Sequence, residues 1–176
     1  MIYEFCAENV TLLEKAMQAG ARRIELCDNL AVGGTTPSYG VTKAAVELAS
    51  NYDTTIMTMI RPRGGDFVYN DLEISIMLED IRLTAQAGSQ GVVFGALTAD
   101  KKLDKANLEK LIAASKGMEI VFHMAFDDLS DEDQLEAIDW LSQAGVTRIL
   151  TRAGVSGDSL EKRFAHYRRI LEHAEG

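Results

Sequence analysis

The sequence predicts an α/β fold of repeated βα units, curved into a TIM-type (β/α)8 barrel of which about six units are visible. Three observations predict it. Short apolar runs alternate with longer amphipathic stretches along the whole chain, an order that implies a parallel sheet with right-handed crossovers. Three amphipathic stretches close on Ala-Gly, at Gly20, Gly88 and Gly145, just before the next apolar run. Glycine ends a helix there at low cost because it accepts a left-handed backbone. The apolar runs also carry a greasy face and a polar face, whereas strands covered by helices on both sides read as continuous apolar runs. That two-faced pattern suits a barrel with helices outside and a lumen inside. No G-x-G-x-x-G follows the first strand, which removes the dinucleotide-fold fingerprint.

The strands are expected at Tyr3–Ala7, Arg23–Cys27, Thr55–Arg61, Gly91–Gly95, Glu119–Met124 and Arg148–Thr151. In the first, Tyr3, Phe5 and Ala7 oppose Glu4, Cys6 and Glu8; in the second, Ile24 and Leu26 oppose Glu25 and Cys27. The third sets Ile56, Thr58 and Ile60 against Met57, Met59 and Arg61, and the fifth sets Ile120, Phe122 and Met124 against Glu119, Val121 and His123. Helices are expected at about 9–19, 38–50, 71–87, 105–116, 131–144 and 159–174. Asn70 with Glu73, Ser130 with Asp133 and Asp158 with Glu161 have the spacing of helix-capping pairs. Thr36 and Pro37 are expected as cap and first residue of the second helix.

Residues 1–176 are expected to form a single barrel-like domain, since that length can bury a sizeable core. A closed barrel needs eight units and about 200 residues or more, so the last two units are expected to be lacking. Six strands leave two sheet edges, which admits a homo-oligomer. The net charge of −9 argues against a nucleic-acid surface, and no apolar run is long enough to span a membrane. With no signal-peptide pattern and two cysteines expected as reduced thiols, a cytoplasmic location is expected.

Chemistry in such a barrel sits at the C-terminal ends of the strands and in the loops after them. Cys6 and Cys27 fall at matching positions near the ends of adjacent strands, facing inward. Two thiolates there can bind a soft ion such as Cu(I), with Met57, Met59 or His123 as further ligands; equally, free Cys serves as a small core residue. In the loop Arg61-Pro-Arg-Gly-Gly-Asp-Phe, Arg61 and Arg63 beside Gly64 and Gly65 suit a carboxylate or phosphate, while pairing of Arg61 with Glu4 or Glu25 is the structural alternative. The loop Gly33-Gly34-Thr35-Thr36-Pro37-Ser38 reads mainly as a helix entry. His123, with Glu25 or Asp127, has the chemistry of a general acid/base pair. Two readings follow: a copper protein binding Cu(I) through Cys6 and Cys27, or an enzyme or sensor for a small anionic metabolite using Arg61, Arg63 and His123, with Glu4 beside them.

Several motifs resemble the CutC family of copper homeostasis proteins: E-F-C-A-E-N at 4–9, R-I-E-L-C-D-N-L at 23–30, G-G-T-T-P-S at 33–38, M-I-R-P-R-G-G-D-F-V-Y at 59–69, G-V-V-F-G at 91–95, F-H-M-A-F-D at 122–127 and R-I-L-T at 148–151. The resemblance runs in one register from the N-terminus to about Thr151. It implies a TIM-barrel fold, a cytoplasmic location, a role in copper tolerance or trafficking, and copper ligands at Cys6 and Cys27. Many relatives carry Arg where this chain has Met124, and the segment Arg152–Asp158 diverges from the family pattern. A Gly-rich seventh-strand loop is absent, which bears on barrel closure and on any anion site such a loop would help form.

Overall fold

Six parallel strands pair strictly in chain order, and each is followed by a helix that crosses back over one face of the sheet. The structure is a computed structural model describing residues 1–154 and 157–174; residues 155 and 156 of the divergent segment lie outside the described residues. The strands are β1 (Glu4–Glu8), β2 (Arg23–Cys27), β3 (Thr55–Met59), β4 (Gly91–Phe94), β5 (Glu119–Phe122) and β6 (Arg148–Ile149). The helices are α1 (Leu13–Gln18), α2 (Tyr39–Ala49), α3 (Asp71–Ala87), α4 (Lys105–Ala114), α5 (Asp131–Gln143) and α6 (Leu160–Ala174), with short 3-10 turns at Leu30–Val32 and Met124–Asp128.

Period-two alternation decides where the cores lie. Ile24, Leu26 and Ile56 point outward beneath α1 and α2 with Leu13, Met17 and Ala45. Ile60, Val92, Phe94, Ile120 and Phe122 continue that outer layer beneath α3, α4 and α5 with Met77, Ile81, Leu108 and Leu141. Each buried Val, Leu, Ile, Phe or Met side chain among them contributes about 1.5–3 kcal/mol. The opposite face carries Cys27, Met57, Met59, Val93 and Val121, a smaller apolar patch that lines the lumen. Arg148 on β6 reaches Met57 Sδ on β3, three strands away, at 3.6 Å. A contact across that face requires the sheet to curl, so the six strands form a half-barrel.

Several element ends differ from expectation, each for a local reason. Asn9 (φ 53°) and Leu12 (φ 58°) take left-handed conformations, so α1 starts at Leu13 and not near residue 9. Ser38, not Thr36, caps α2, its Oγ accepting from Val41 N–H at 3.2 Å. Thr36 is used elsewhere: its N–H donates to Arg61 O and its Oγ1 accepts from Arg61 N–H, both at 2.9 Å. This staple takes the chain out of β3 after Met59. Likewise β5 ends at Phe122 because His123 caps the 3-10 turn, its Nδ1 accepting from Ala125 N–H at 3.2 Å. The Asn70–Glu73 capping box forms with both reciprocal hydrogen bonds, and Ser130 caps α5. At α6 it is Ser159 that accepts from Lys162 N–H. Gly20, Gly88 and Gly145 all adopt the left-handed backbone that ends their helices.

Candidate functional site

Parallel pairing puts Cys6 opposite Glu25 and Glu8 opposite Cys27. Because side chains alternate, Cys6, Glu25 and Cys27 share the lumen face in a diagonal row. One oxygen, Glu25 Oε1, accepts from both thiols, at 3.4 Å from Cys6 Sγ and 3.8 Å from Cys27 Sγ. The three donor atoms lie within 4.8 Å of one another. Cys6 is exposed, whereas Cys27 and Glu25 are buried. Gly34 closes over Cys27: its φ is +87°, and a Cβ there would sit 3.0 Å from Cys27 Sγ. Only glycine lets the loop approach the sulfur so closely in that conformation.

Glu25 and Cys27 are both shifted toward their protonated forms. Burial raises the Glu25 carboxyl above its ordinary value, and the nearby Glu4 charge adds to the effect. Contact with Cys6, then burial and the Glu25 charge, push the Cys27 thiol well up. Without a cation, Cys27 therefore keeps its proton at neutral pH. Two sulfurs within one ion's reach suit a soft monovalent ion, and the Met57 and Met59 thioethers line the same face. Glu4 stands outside the trio, its carboxylate paired with Arg23 at 3.2 Å.

A second group sits at the mouth above β3 and β5. Arg61 is buried, and its guanidinium donates to Val32 O (2.8 Å), Gly34 O (3.0 Å) and Gly65 O (2.7 Å) while lying over the Phe67 ring at 4.8 Å. It pairs with neither Glu4 nor Glu25. His123 packs against the same Phe67 ring, the two ring centroids 4.7 Å apart. Since Nδ1 accepts from Ala125, the imidazole proton resides on Nε2. Burial, followed by the Arg61 charge, lowers the His123 pKa to about 3, so the ring is neutral.

Arg63 is committed to protein partners: Nε to Glu73 at 2.5 Å, Nη2 to Val68 O at 2.7 Å, and Asp66 at 3.0 Å. Gly64 packs on Val32, where a Cβ would come within 2.8 Å, and Gly65 supplies a carbonyl to Arg61. Asp127 is also buried but faces the loop after β6, accepting from Thr151 Oγ1 at 2.5 Å and from Arg152 N–H at 3.0 Å. The structure thus brings Cys6, Glu25 and Cys27 together, and separately Arg61 and His123; Asp127 joins neither group. Sequence reasoning took Thr36 for a helix cap and singled out neither Phe67 nor Tyr69; Thr36 and Phe67 hold Arg61, and Tyr69 lies beside it. The aromatic pair two residues apart, just beyond Arg61 and Arg63, was a usable signal.

Comparison with known proteins follows the same motifs. A sequence profile of the CutC family matches residues 1–175. The chain belongs to the CutC family. A family protein CutC from Enterococcus faecalis is 51% identical over 175 residues, covering 99% of this chain and 84% of that protein. The human copper homeostasis protein cutC homolog is 40% identical over 175 residues, covering 99% of this chain and 62% of that protein. Among solved structures, the putative copper homeostasis protein CutC of Streptococcus agalactiae superposes with a TM-score of 0.95 at 45% identity, covering 100% of this chain and 84% of the other. An archaeal fructose-1,6-bisphosphate aldolase superposes at 0.65 with 16% identity over 93% of this chain and 62% of the other, a likeness of fold alone. Among the described residues, no helix is long and apolar enough to cross a membrane.

Proposed function

We propose that this chain is a cytoplasmic copper homeostasis protein that binds one Cu(I) between Cys6 and Cys27. The observation that carries the reading is the trio itself, in which two sulfurs and a carboxylate oxygen lie within 4.8 Å. The names of the human and streptococcal relatives support it. The chemistry is consistent at each step. Cys6, exposed at the lumen, receives the ion; Cys27, buried beneath Gly34, holds it away from water. Glu25 Oε1 stands between the two thiols as their common hydrogen-bond acceptor, placed to take up a thiol proton as copper displaces it. The thioethers nearby keep that side of the lumen soft and apolar.

Thiol counting under anaerobic conditions tests this directly. One equivalent of Cu(I) is expected to protect the exposed Cys6 from an electrophilic thiol reagent, and that protection is expected to be lost in Cys27→Ser. Protection of Cys6 that persists in Cys27→Ser would reduce the site to one exposed thiol. The second reading, recognition of a small anion, draws on Arg61 and His123, whose unpaired donors carry it further.

A further inference from the structure

Three buried polar atoms at the mouth of the half-barrel have no hydrogen-bond partner among the described residues: Arg61 Nε, His123 Nε2 and the Tyr69 hydroxyl. They belong to one neighbourhood. Phe67 lies under the Arg61 guanidinium and 4.7 Å from the His123 ring. The Tyr69 hydroxyl lies beside Arg61 without a well-directed bond to it. All three residues are nine-tenths buried or more. Buried polar atoms are nearly always satisfied, so three in one place call for an account.

Charge sharpens the point. Arg61 is cationic at any physiological pH, yet among the described residues no carboxylate lies within 4.0 Å of it. The carbonyls of Val32, Gly34 and Gly65 solvate Nη1 and Nη2 with partial charges and leave Nε bare. Arg63, two residues on, has both Glu73 and Asp66. A buried, uncompensated guanidinium is costly unless something negative arrives. The unpartnered set is also one-sided: Nε–H and Nε2–H can only donate, and the hydroxyl can donate. Such a set complements an oxygen that only accepts.

We propose that Arg61, His123 and Tyr69 form a binding site for a small oxyanion, a carboxylate or phosphate group, at the C-terminal mouth of β3 and β5. Arg61 supplies the charge and one N–H. His123 stays neutral and donates its Nε2–H, while Nδ1 remains held by Ala125. Gly33-Gly34 and Gly64-Gly65 form the cover, since Arg61 is bonded to carbonyls on both loops. The Gly34 that carries one of those carbonyls also touches Cys27, so the anion site and the thiol pair share a wall. The proposal is independent of copper: it uses no atom of the Cys6–Glu25–Cys27 trio.

The test is NMR titration of the 15N-labelled full chain with inorganic phosphate and, separately, with acetate. The imidazole nitrogens of His123 are followed through their two-bond couplings, and the backbone amides of Gly34 and Ala125 report binding in the variant that lacks the imidazole. Saturable shifts at His123 Nε2 in the millimolar range or below are expected with at least one anion, and the responding anion distinguishes phosphate from carboxylate. Two mild variants keep the result interpretable. Tyr69→Phe removes only a hydroxyl, and His123→Asn retains an oxygen to accept from Ala125 N–H while removing the donor. Each is expected to weaken binding about tenfold, whereas Cys6→Ser with Cys27→Ser leaves it unchanged. Absence of saturation with both anions, or shifts that survive both variants, would overturn the proposal and assign the unpaired donors to buried water. Loss of anion binding in the double cysteine variant would also overturn it, by tying the site to the thiols.

Discussion

The two sides of the lumen rim carry opposite chemistry. Across β1 and β2 the groups are two thiols and a carboxyl, an environment that raises Glu25 and Cys27 toward their protonated forms. Across β3 and β5 the groups are a buried guanidinium, a neutral imidazole and a phenol, all with hydrogens to give. The Gly33-Gly34 loop separates them, touching Cys27 Sγ on one side and Arg61 on the other. On the proposed function one half of the rim loses protons to a soft cation, and on the further proposal the other receives electron pairs from oxygen. A single lumen accommodates both because the Gly33-Gly34 loop is a wall between the two clusters.

Stability measurements can break this contrast. The largest effect is expected at Arg61. Arg61→Met leaves three carbonyls without their donor and is expected to cost about 3 kcal/mol or more in urea unfolding. Cys27→Ser, which puts a slightly shorter and more polar group at a buried position, is expected to cost less, about 1–2 kcal/mol. Equal costs would mean that the arginine is not the keystone of its side.

His123 sets the next effect, through pH. Its folded pKa of about 3 lies below the ordinary histidine value of 6.5, so the folded ring binds fewer protons than the unfolded one between those limits. Its contribution is whole above about pH 6.5 and is lost as pH falls toward 3, with a slope of up to about 1.4 kcal/mol per pH unit. His123→Asn is expected to flatten that slope in unfolding curves taken from pH 7 to 4. An unchanged slope would place the acid sensitivity elsewhere.

Gly34→Ala is expected to cost about 1–2 kcal/mol, because alanine is strained at φ +87° and its Cβ would press on Cys27 Sγ. Gly40→Ala, within α2 and with open contact to Ser38 at 3.9 Å, is expected to stabilise by about 0.5–1 kcal/mol. The smallest effect belongs to Glu25. Burial raises its pKa, so the ionised form is the costly one and the penalty appears as pH rises through the folded value. Glu25→Gln is expected to stabilise the metal-free protein by up to about 1 kcal/mol at pH 8, with no gain at pH 5. A loss at pH 8 would show that the carboxylate is stabilised there by a group other than the thiols.

Much of this architecture was legible in the residues. Period-two alternation in E-F-C-A-E and R-I-E-L-C put Cys6, Glu25 and Cys27 on the lumen face, and all six strands lie where the apolar runs lie. The shared Glu25 oxygen was not legible, because it depends on the stagger between β1 and β2, which no single strand encodes. Nor were the partners of Arg61. Its type and position suggested an anion or a lumen carboxylate, but the carbonyls it reaches come from loops whose paths follow left-handed glycines and not any periodic pattern. Thr36 shows the same limit: a residue suited to capping a helix was instead used to staple Arg61, and Ser38 took the cap.

The most direct test of the account is anaerobic titration of the reduced protein with Cu(I) against a chelator of known affinity. The wild-type chain is expected to take up one equivalent tightly, with that affinity lost in Cys6→Ser/Cys27→Ser and kept in His123→Asn. Binding no tighter than that of a single exposed thiol, or binding unchanged in the double cysteine variant, would contradict it.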